Sequence, residues 1–149
     1  MNAQKLIKHW KTQDIETEPG IDIAVLEKYE EKHQLYFPQS VKDYFTSVNG
    51  MKHTDDGNWC DDEFIRFNNF EEEIYRKYNP QGYFIFADYS LSAHHYLIKL
   101  TSEQQEESAV YVDYTDDLQK VSETFTEFVN EYLNKNLDVL HPEPERTKT

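Results

Sequence analysis

The side chains that could do chemistry in this sequence are mainly carboxylates, and they are concentrated between residues 55 and 73. Arg66 is the only Lys or Arg of that segment, and Trp59 lies near its start. Carboxylates around an aromatic ring suit a partner rich in Lys and Arg, because the acids steer the partner and the ring anchors it. The alternative is a solvated loop whose Trp59 packs into the core. The partner-binding residues predicted here are Asp55, Asp56, Trp59, Asp61, Asp62 and Glu63.

A second acidic stretch, between residues 103 and 117, offers a competing surface for the same kind of partner. The sequence leaves open which of the two stretches binds. The partner-binding residues predicted in the second stretch are Asp113, Asp116 and Asp117, with Glu103, Glu106 and Glu107 as further acidic neighbours.

Patterns for catalysis or metal binding are weak. His53 and the Asp pairs after it have suitable ligand atoms, but a calcium loop's fixed glycine and distant glutamate are missing, as is His-Glu-x-x-His. His94 and His95 on a strand would point to opposite faces and cannot form one dyad. Cys60 has no histidine within four residues, which favours a structural or bystander thiol. We therefore predict no catalytic residue, no metal and no cofactor, and a protein that is not an enzyme.

Composition and charge predict a folded protein that does not bind nucleic acids or anionic membranes. The 149 residues fit a single domain over residues 1–149, and an aromatic content of 15% favours a packed core. The 15 basic and 29 acidic side chains leave a net charge of −14. Nucleic acids and anionic membranes would repel this charge, whereas a basic protein would be attracted by it. The alternative is that the charge only keeps the protein soluble.

The same composition predicts a cytoplasmic location. One cysteine cannot form an internal disulfide, and the N-terminus lacks the apolar stretch of a signal peptide. The longest apolar run, residues 83–87, is too short to cross a bilayer. No oligomeric state is predicted.

Hydrophobic periodicity predicts helices in the first third of the chain. A helix contains Leu6 and Trp10 on one apolar stripe, and a loop covers residues 13–21. A second helix begins at the cap residue Asp22. A third begins at Pro38 and ends at Asn49-Gly50, because glycine tolerates the left-handed conformation that follows a helix.

The rest of the chain predicts an antiparallel sheet of about four to six strands and a C-terminal helix packed on it, and thus an α+β fold. Strands are predicted over residues 63–67, 83–88, 95–100 and 110–114, since short connections favour antiparallel neighbours. Asn69 is predicted to cap a short helix, and the last helix to span residues 121–133. Residues 141–149 are predicted to be a flexible tail.

The order and spacing of several motifs resemble the SUKH superfamily of cell-wall-assembly-regulator-like immunity proteins, over residues 22–133. Phe37 replaces the usual Leu, and Met51 replaces a common second Gly. The matching motifs are Leu26-Glu27-Lys28-Tyr29-Glu30, Phe37-Pro38, Tyr44-Phe45, Asn49-Gly50 and Thr124-Phe125-Thr126-Glu127-Phe128-Val129. Within them, structural roles are expected for Glu30, Pro38, Asn49 and Gly50.

The resemblance implies a non-catalytic binding module that neutralises a cognate polymorphic toxin, often a nuclease. With the negative charge of this chain, the expected partner is a basic toxin domain. The alternative that the resemblance allows is a regulatory interaction scaffold without a toxin. A hydrolase that uses carboxylates and a histidine is the third possibility, and it requires a pocket where such side chains converge.

Overall fold

A computed structural model describes residues 2–53, 60–74, 79–90, 93–114, 117–136 and 140, and it shows the predicted α+β fold. The helices are α1 (Ala3–Lys11), α2 (Ile23–His33), α3 (Gln39–Ser47), α4 (Phe70–Ile74) and α5 (Phe125–Leu133). The strands are β1 (Thr17–Pro19), β2 (Val48–Met51), β3 (Ile65–Phe67), β4 (Tyr83–Tyr89), β5 (His94–Lys99), β6 (Val110–Val112) and β7 (Gln119–Ser122). The predicted tail, residues 141–149, lies outside the described residues.

The second and third helices begin in different ways. The Asp22 side chain accepts a hydrogen bond from the Ala24 N–H (2.9 Å), so α2 begins where it was predicted to begin. Pro38 precedes α3 but has no side chain that could cap it. The N–H groups of Gln39 and Ser40, which come too early in α3 to have an acceptor within it, donate instead to the carbonyls of residues 105 and 106 (2.9 and 3.1 Å). The loop of residues 101–108 therefore caps α3 through its backbone.

Strand β2 replaces the helix stop that Asn49-Gly50 was predicted to form. Helix α3 ends at Ser47, and the chain becomes extended at Val48 and pairs antiparallel with β1, a strand within a predicted loop. Gly50 has φ +72°, and a Cβ there would lie 2.5 Å from the Asn68 carbonyl oxygen. The glycine is needed for this close approach of β2 to the end of β3, rather than for ending a helix.

Asn49 caps α4 from a distant part of the chain. Its Oδ1 accepts from the Phe70 N–H (2.7 Å), and its Nδ2 donates to Glu71 (2.8 Å). Asn69, predicted to be this cap, instead donates its side-chain amide to the Asn49 and Met51 carbonyls. The prediction was wrong because the capping group belongs to β2, which is not local to α4 in sequence.

The main sheet is a five-stranded antiparallel meander in the order β3-β4-β5-β6-β7. Strand β7 was missed, because Val121 fits the helical stripe of the residues after it. Helix α5 begins after Thr124, whose hydroxyl accepts from the Glu127 N–H (2.9 Å). Its buried side chains Phe125 and Phe128 pack edge-on against Phe86 of β4, with ring centroids 5.2 and 5.3 Å away. Helix α5 thus covers the sheet, as predicted.

Candidate partner-binding face at one end of the sheet

The meander brings one part of each acidic stretch to the same end of the sheet, Asp61 to Glu63 from the first stretch and Asp113 and Asp117 from the second. Glu103, Glu106 and Glu107 lie in the connection between β5 and β6, at the opposite end. Strand β3 starts at this end, and Ile65 in it pairs with Tyr89 at the end of β4. Tyr89 pairs in turn with His94 at the start of β5. The Asp113 N–H, just after β6, donates to the carbonyl of His95 (3.2 Å). Since neighbouring strands lie about 4.8 Å apart, the starts of β3 and β5 and the ends of β4 and β6 fall within roughly 15 Å.

We call this surface the sheet-end face. The two acidic stretches, which the sequence leaves as competitors, each contribute some of their residues to this surface. Its described members are Asp62, Glu63, Phe64, Tyr89, Ser90, His94, Asp113, Tyr114 and Asp117. The predicted residues Asp55, Asp56, Trp59 and Asp116 lie outside the described residues.

Asp61 is placed beneath this face rather than on it. It is 5% exposed, and its carboxylate accepts from the N–H groups of Glu63 (2.9 Å) and Ile65 (2.8 Å) and from the Tyr132 hydroxyl (2.5 Å). The Tyr132 oxygen also accepts from the Trp10 indole N–H (2.9 Å). Burial raises the pKa of Asp61 despite these donors. The side chain predicted to touch a partner therefore joins α1, α5 and the start of β3.

Asp62, by contrast, is accessible to a partner. Its carboxylate is about half exposed and lies 3.2 Å from the Lys135 ammonium, which is exposed to a similar degree. Its backbone N–H donates to the Gln13 side chain (2.8 Å). The backbone is thus fixed while the charge faces solvent, which is the arrangement that a steering carboxylate needs.

Phe64 is a member of this face that the sequence pattern did not single out. It was predicted to be one residue of an alternating strand, but it precedes β3 and has φ +64°. Its N–H donates to the Asp61 carbonyl (3.1 Å), and its carbonyl accepts from the Ser90 N–H (2.8 Å). A left-handed backbone costs a non-glycine residue about 1–2 kcal/mol. The turn built on Asp61 maintains this conformation.

On the other side of the face, Asp113 forms an ion pair or hydrogen bond with His95. The carboxylate accepts from the His95 backbone N–H (2.5 Å) and lies 2.7 Å from its Nδ1, while Asp88 lies 3.7 Å from Nε2. The neighbouring His94 ring packs edge-on against Tyr114 at 4.1 Å. Burial lowers the pKa of His94, and the Asp113 charge opposes that shift. The two histidines have different partners, so they do not act as a dyad.

The junction of α2 with α3, which meets the chain just after β5 through the Tyr36–Thr101 bridge, contains Glu30, one of the residues expected to be structural. Glu30 is 6% exposed and accepts from the Phe37 N–H (2.8 Å) and from the Lys42 ammonium (3.1 Å). Beside it is an open polar groove of about 680 Å³, here called the α2–α3 groove. Its lining includes Glu27, Glu31, Tyr36, Gln39, Lys42 and Gln104.

Among the described residues, no three His, Cys, Asp or Glu side chains are grouped so as to hold a metal ion. None of the described helices combines the length and the apolar composition needed to cross a membrane.

The fold and its acidic face define an α+β protein whose candidate site is a surface. The family model of SMI1 / KNR4 (SUKH-1) matches residues 20–131. The protein belongs to this family, which confirms the resemblance found in its sequence. Proteins of the family are generally non-catalytic and of the immunity type. No curated protein matches the chain.

Proposed function

We propose that this protein is an immunity protein that binds a cognate toxin domain and blocks it by covering its active surface with the sheet-end face. The observation that carries the proposal is that carboxylates from both acidic stretches, Asp62 and Glu63 from one and Asp113 and Asp117 from the other, meet at one end of the sheet. Family membership supports a role in protein binding.

The charge of the face favours a basic toxin of the nuclease type. A nuclease must hold phosphates with Lys and Arg, and an acidic protein surface can occupy the same cations. The net charge of −14 adds long-range attraction, which raises the rate of encounter with a basic partner.

In this proposal, the direct contacts among described residues are Asp62, Glu63, Asp113 and Asp117, whereas Asp61 positions the face from below. Contacts from Asp55, Asp56, Trp59 and Asp116 remain sequence predictions. The protein acts in the cytoplasm, without a metal, a cofactor or a catalytic residue. It binds neither nucleic acid nor membrane, because its charge repels both.

The carboxylates around His95 do not favour a hydrolase. Both Asp88 and Asp113 lie beside its ring, but Asp113 also accepts from its backbone, so the contacts join β5 to the end of β6. The His95 side chain is itself largely buried. This arrangement supports a structural role for the histidine and a binding role for the face.

The experiment is to identify a toxin-domain gene next to this gene, to coexpress the two proteins, and to titrate the purified pair. We expect wild-type protein to protect the host cell. Asp62→Lys with Asp117→Lys should weaken the complex on the order of 100-fold, since charge pairs at an interface typically contribute several kcal/mol together.

The matched control reverses two exposed carboxylates of α2, Glu27→Lys with Glu31→Lys. It makes the same change in net charge and should weaken the complex less than about 5-fold. A larger effect of the α2 pair would move the interface to the α2–α3 groove. Cells that die despite full expression of the wild type would remove the immunity function and favour a regulatory scaffold without a toxin.

A further inference from the structure

Phe64 is the most exposed large apolar side chain among the described residues, with 61% of its surface accessible. Ile23, Val25 and Ile74 follow at 39–40%. Single exposed apolar side chains are common on protein surfaces, so exposure alone does not define a site. Phe64 differs from the other three in two respects. It lies on the acidic sheet-end face, and its backbone has a positive φ.

The backbone of Phe64 is held in a conformation that bulky residues avoid. The other described non-glycine residues with positive φ are Asp14, Gln34, Ser90 and Lys135, none of which is aromatic. A left-handed aromatic residue persists only where its surroundings determine the conformation, and such residues cluster at functional sites. Here the surroundings are the turn that begins at Asp61.

The turn holds Phe64 from both sides. The Asp61 carboxylate accepts from the N–H groups of the residues before and after Phe64, Glu63 (2.9 Å) and Ile65 (2.8 Å). The Phe64 carbonyl is fixed by Ser90 at the end of β4. The backbone that carries the Phe64 ring is therefore fixed before any partner binds, so little backbone conformational entropy is lost on binding.

The charges around Phe64 indicate the chemistry of its binding site. Asp62 and Glu63 precede it directly, and Asp113 contributes a further carboxylate at the same end of the sheet. A central apolar contact surrounded by polar contacts that exclude water is the arrangement typical of binding hot spots. The complementary surface is an apolar pocket with Lys and Arg around it.

We propose that Phe64 is an apolar anchor of the sheet-end face and inserts into such a pocket on the basic toxin domain. The inference rests on the proposed function and adds to it the residue that fixes how the two proteins fit together. Asp61 acts as a positioning residue in this interaction, because it holds the turn without touching the partner.

The first test compares the affinities of two truncations for the toxin domain encoded next to this gene. Phe64→Ala should weaken binding at least about 30-fold, which corresponds to ~2 kcal/mol. Ile23→Ala, which removes an exposed apolar side chain at the start of α2, should change affinity less than 3-fold.

The second test is Phe64→Gly, which separates anchoring from folding. Glycine adopts φ +64° without strain, so the variant should melt at the wild-type temperature or about 2–4 °C above it. Its affinity for the toxin domain should nevertheless fall at least as far as that of Phe64→Ala. A gain in stability joined to a loss of binding is what a strained, functional side chain predicts.

Three outcomes would overturn the inference in distinguishable ways. If the wild type binds the toxin domain and both Phe64 variants bind equally well, the anchor is refuted while the proposed function stands. If the wild type does not bind at all, the proposed function fails, and the anchor fails with it. A melting temperature of Phe64→Gly well below that of the wild type would also overturn it, because the ring would then stabilise the fold rather than serve a partner.

Discussion

Two buried carboxylates, Asp61 at the start of β3 and Glu30 in α2, have different kinds of partners. Among the described residues, the donors to Asp61 are neutral: two backbone N–H groups and a tyrosine hydroxyl. Glu30 accepts from one backbone N–H and from the ammonium group of Lys42. The first carboxylate supports a strained turn with an exposed aromatic residue, and the second closes the junction of α2 with α3. The comparison shows that a carboxylate in a strongly acidic protein need not belong to its acidic surface.

The largest expected effect on stability is that of removing the Asp61 carboxylate. Asp61→Ala leaves two N–H groups and the Tyr132 hydroxyl without their acceptor, and it should lower the free energy of unfolding by about 3 kcal/mol. Asp62→Ala, one residue further along, should change it by less than about 0.5 kcal/mol. Urea denaturation measures both. Equal effects of the two variants would contradict the placement of Asp61 beneath the face.

This pair of aspartates also shows where prediction from sequence stops. Asp61 and Asp62 have the same side chain and almost the same neighbours in sequence. What separates them is Tyr132, which lies 71 residues further along the chain. Local pattern could place both residues in an acidic segment, but only the packing of α5 determines which one is buried.

The elements of the fold show the same limit. Apolar stripes predicted α1, α2 and α3, and β-branched and aromatic runs predicted β4, β5 and β6. Strand β2 was missed because Asn49-Gly50 is a common local signal for a helix end. In the folded chain these two residues serve distant partners, since Asn49 caps α4 and Gly50 allows contact with Asn68.

Removing the Glu30 carboxylate should lower the free energy of unfolding somewhat less than removing the Asp61 carboxylate. Glu30→Ala leaves the Lys42 ammonium without its partner, but Lys42 lines the open α2–α3 groove and can turn toward water there. We expect a loss of about 2 kcal/mol in urea denaturation. Replacing Lys42 by Met in the same chain should restore part of this loss. No recovery in the double variant would mean that the Phe37 N–H, rather than the ammonium, accounts for the loss.

The pH dependence of stability should provide a second test of the buried Asp61 carboxylate. The folded-state pKa of Asp61 is raised above its unfolded value of 3.8 by burial, so the folded state binds a proton more readily than the unfolded state. The stability of wild type relative to Asp61→Asn should therefore increase as the pH falls from neutrality through the raised pKa toward 3.8. Denaturation of both proteins across this range measures the difference. A difference that shrinks toward low pH would contradict the sign of the shift.

The smallest expected change in stability concerns the ion pair on the acidic face. Lys135 lies 3.2 Å from Asp62 with both side chains about half exposed, so Lys135→Ala should alter the free energy of unfolding by less than about 0.5 kcal/mol. The same variant frees the Asp62 charge and should accelerate association with the basic toxin domain at low salt, because steering depends on local potential. Lys52→Ala breaks a comparable exposed pair with Glu16 and makes the same change in net charge. If the two variants accelerate association equally, the association rate depends only on net charge. A greater effect of Lys135→Ala locates the electrostatic steering at the sheet-end face.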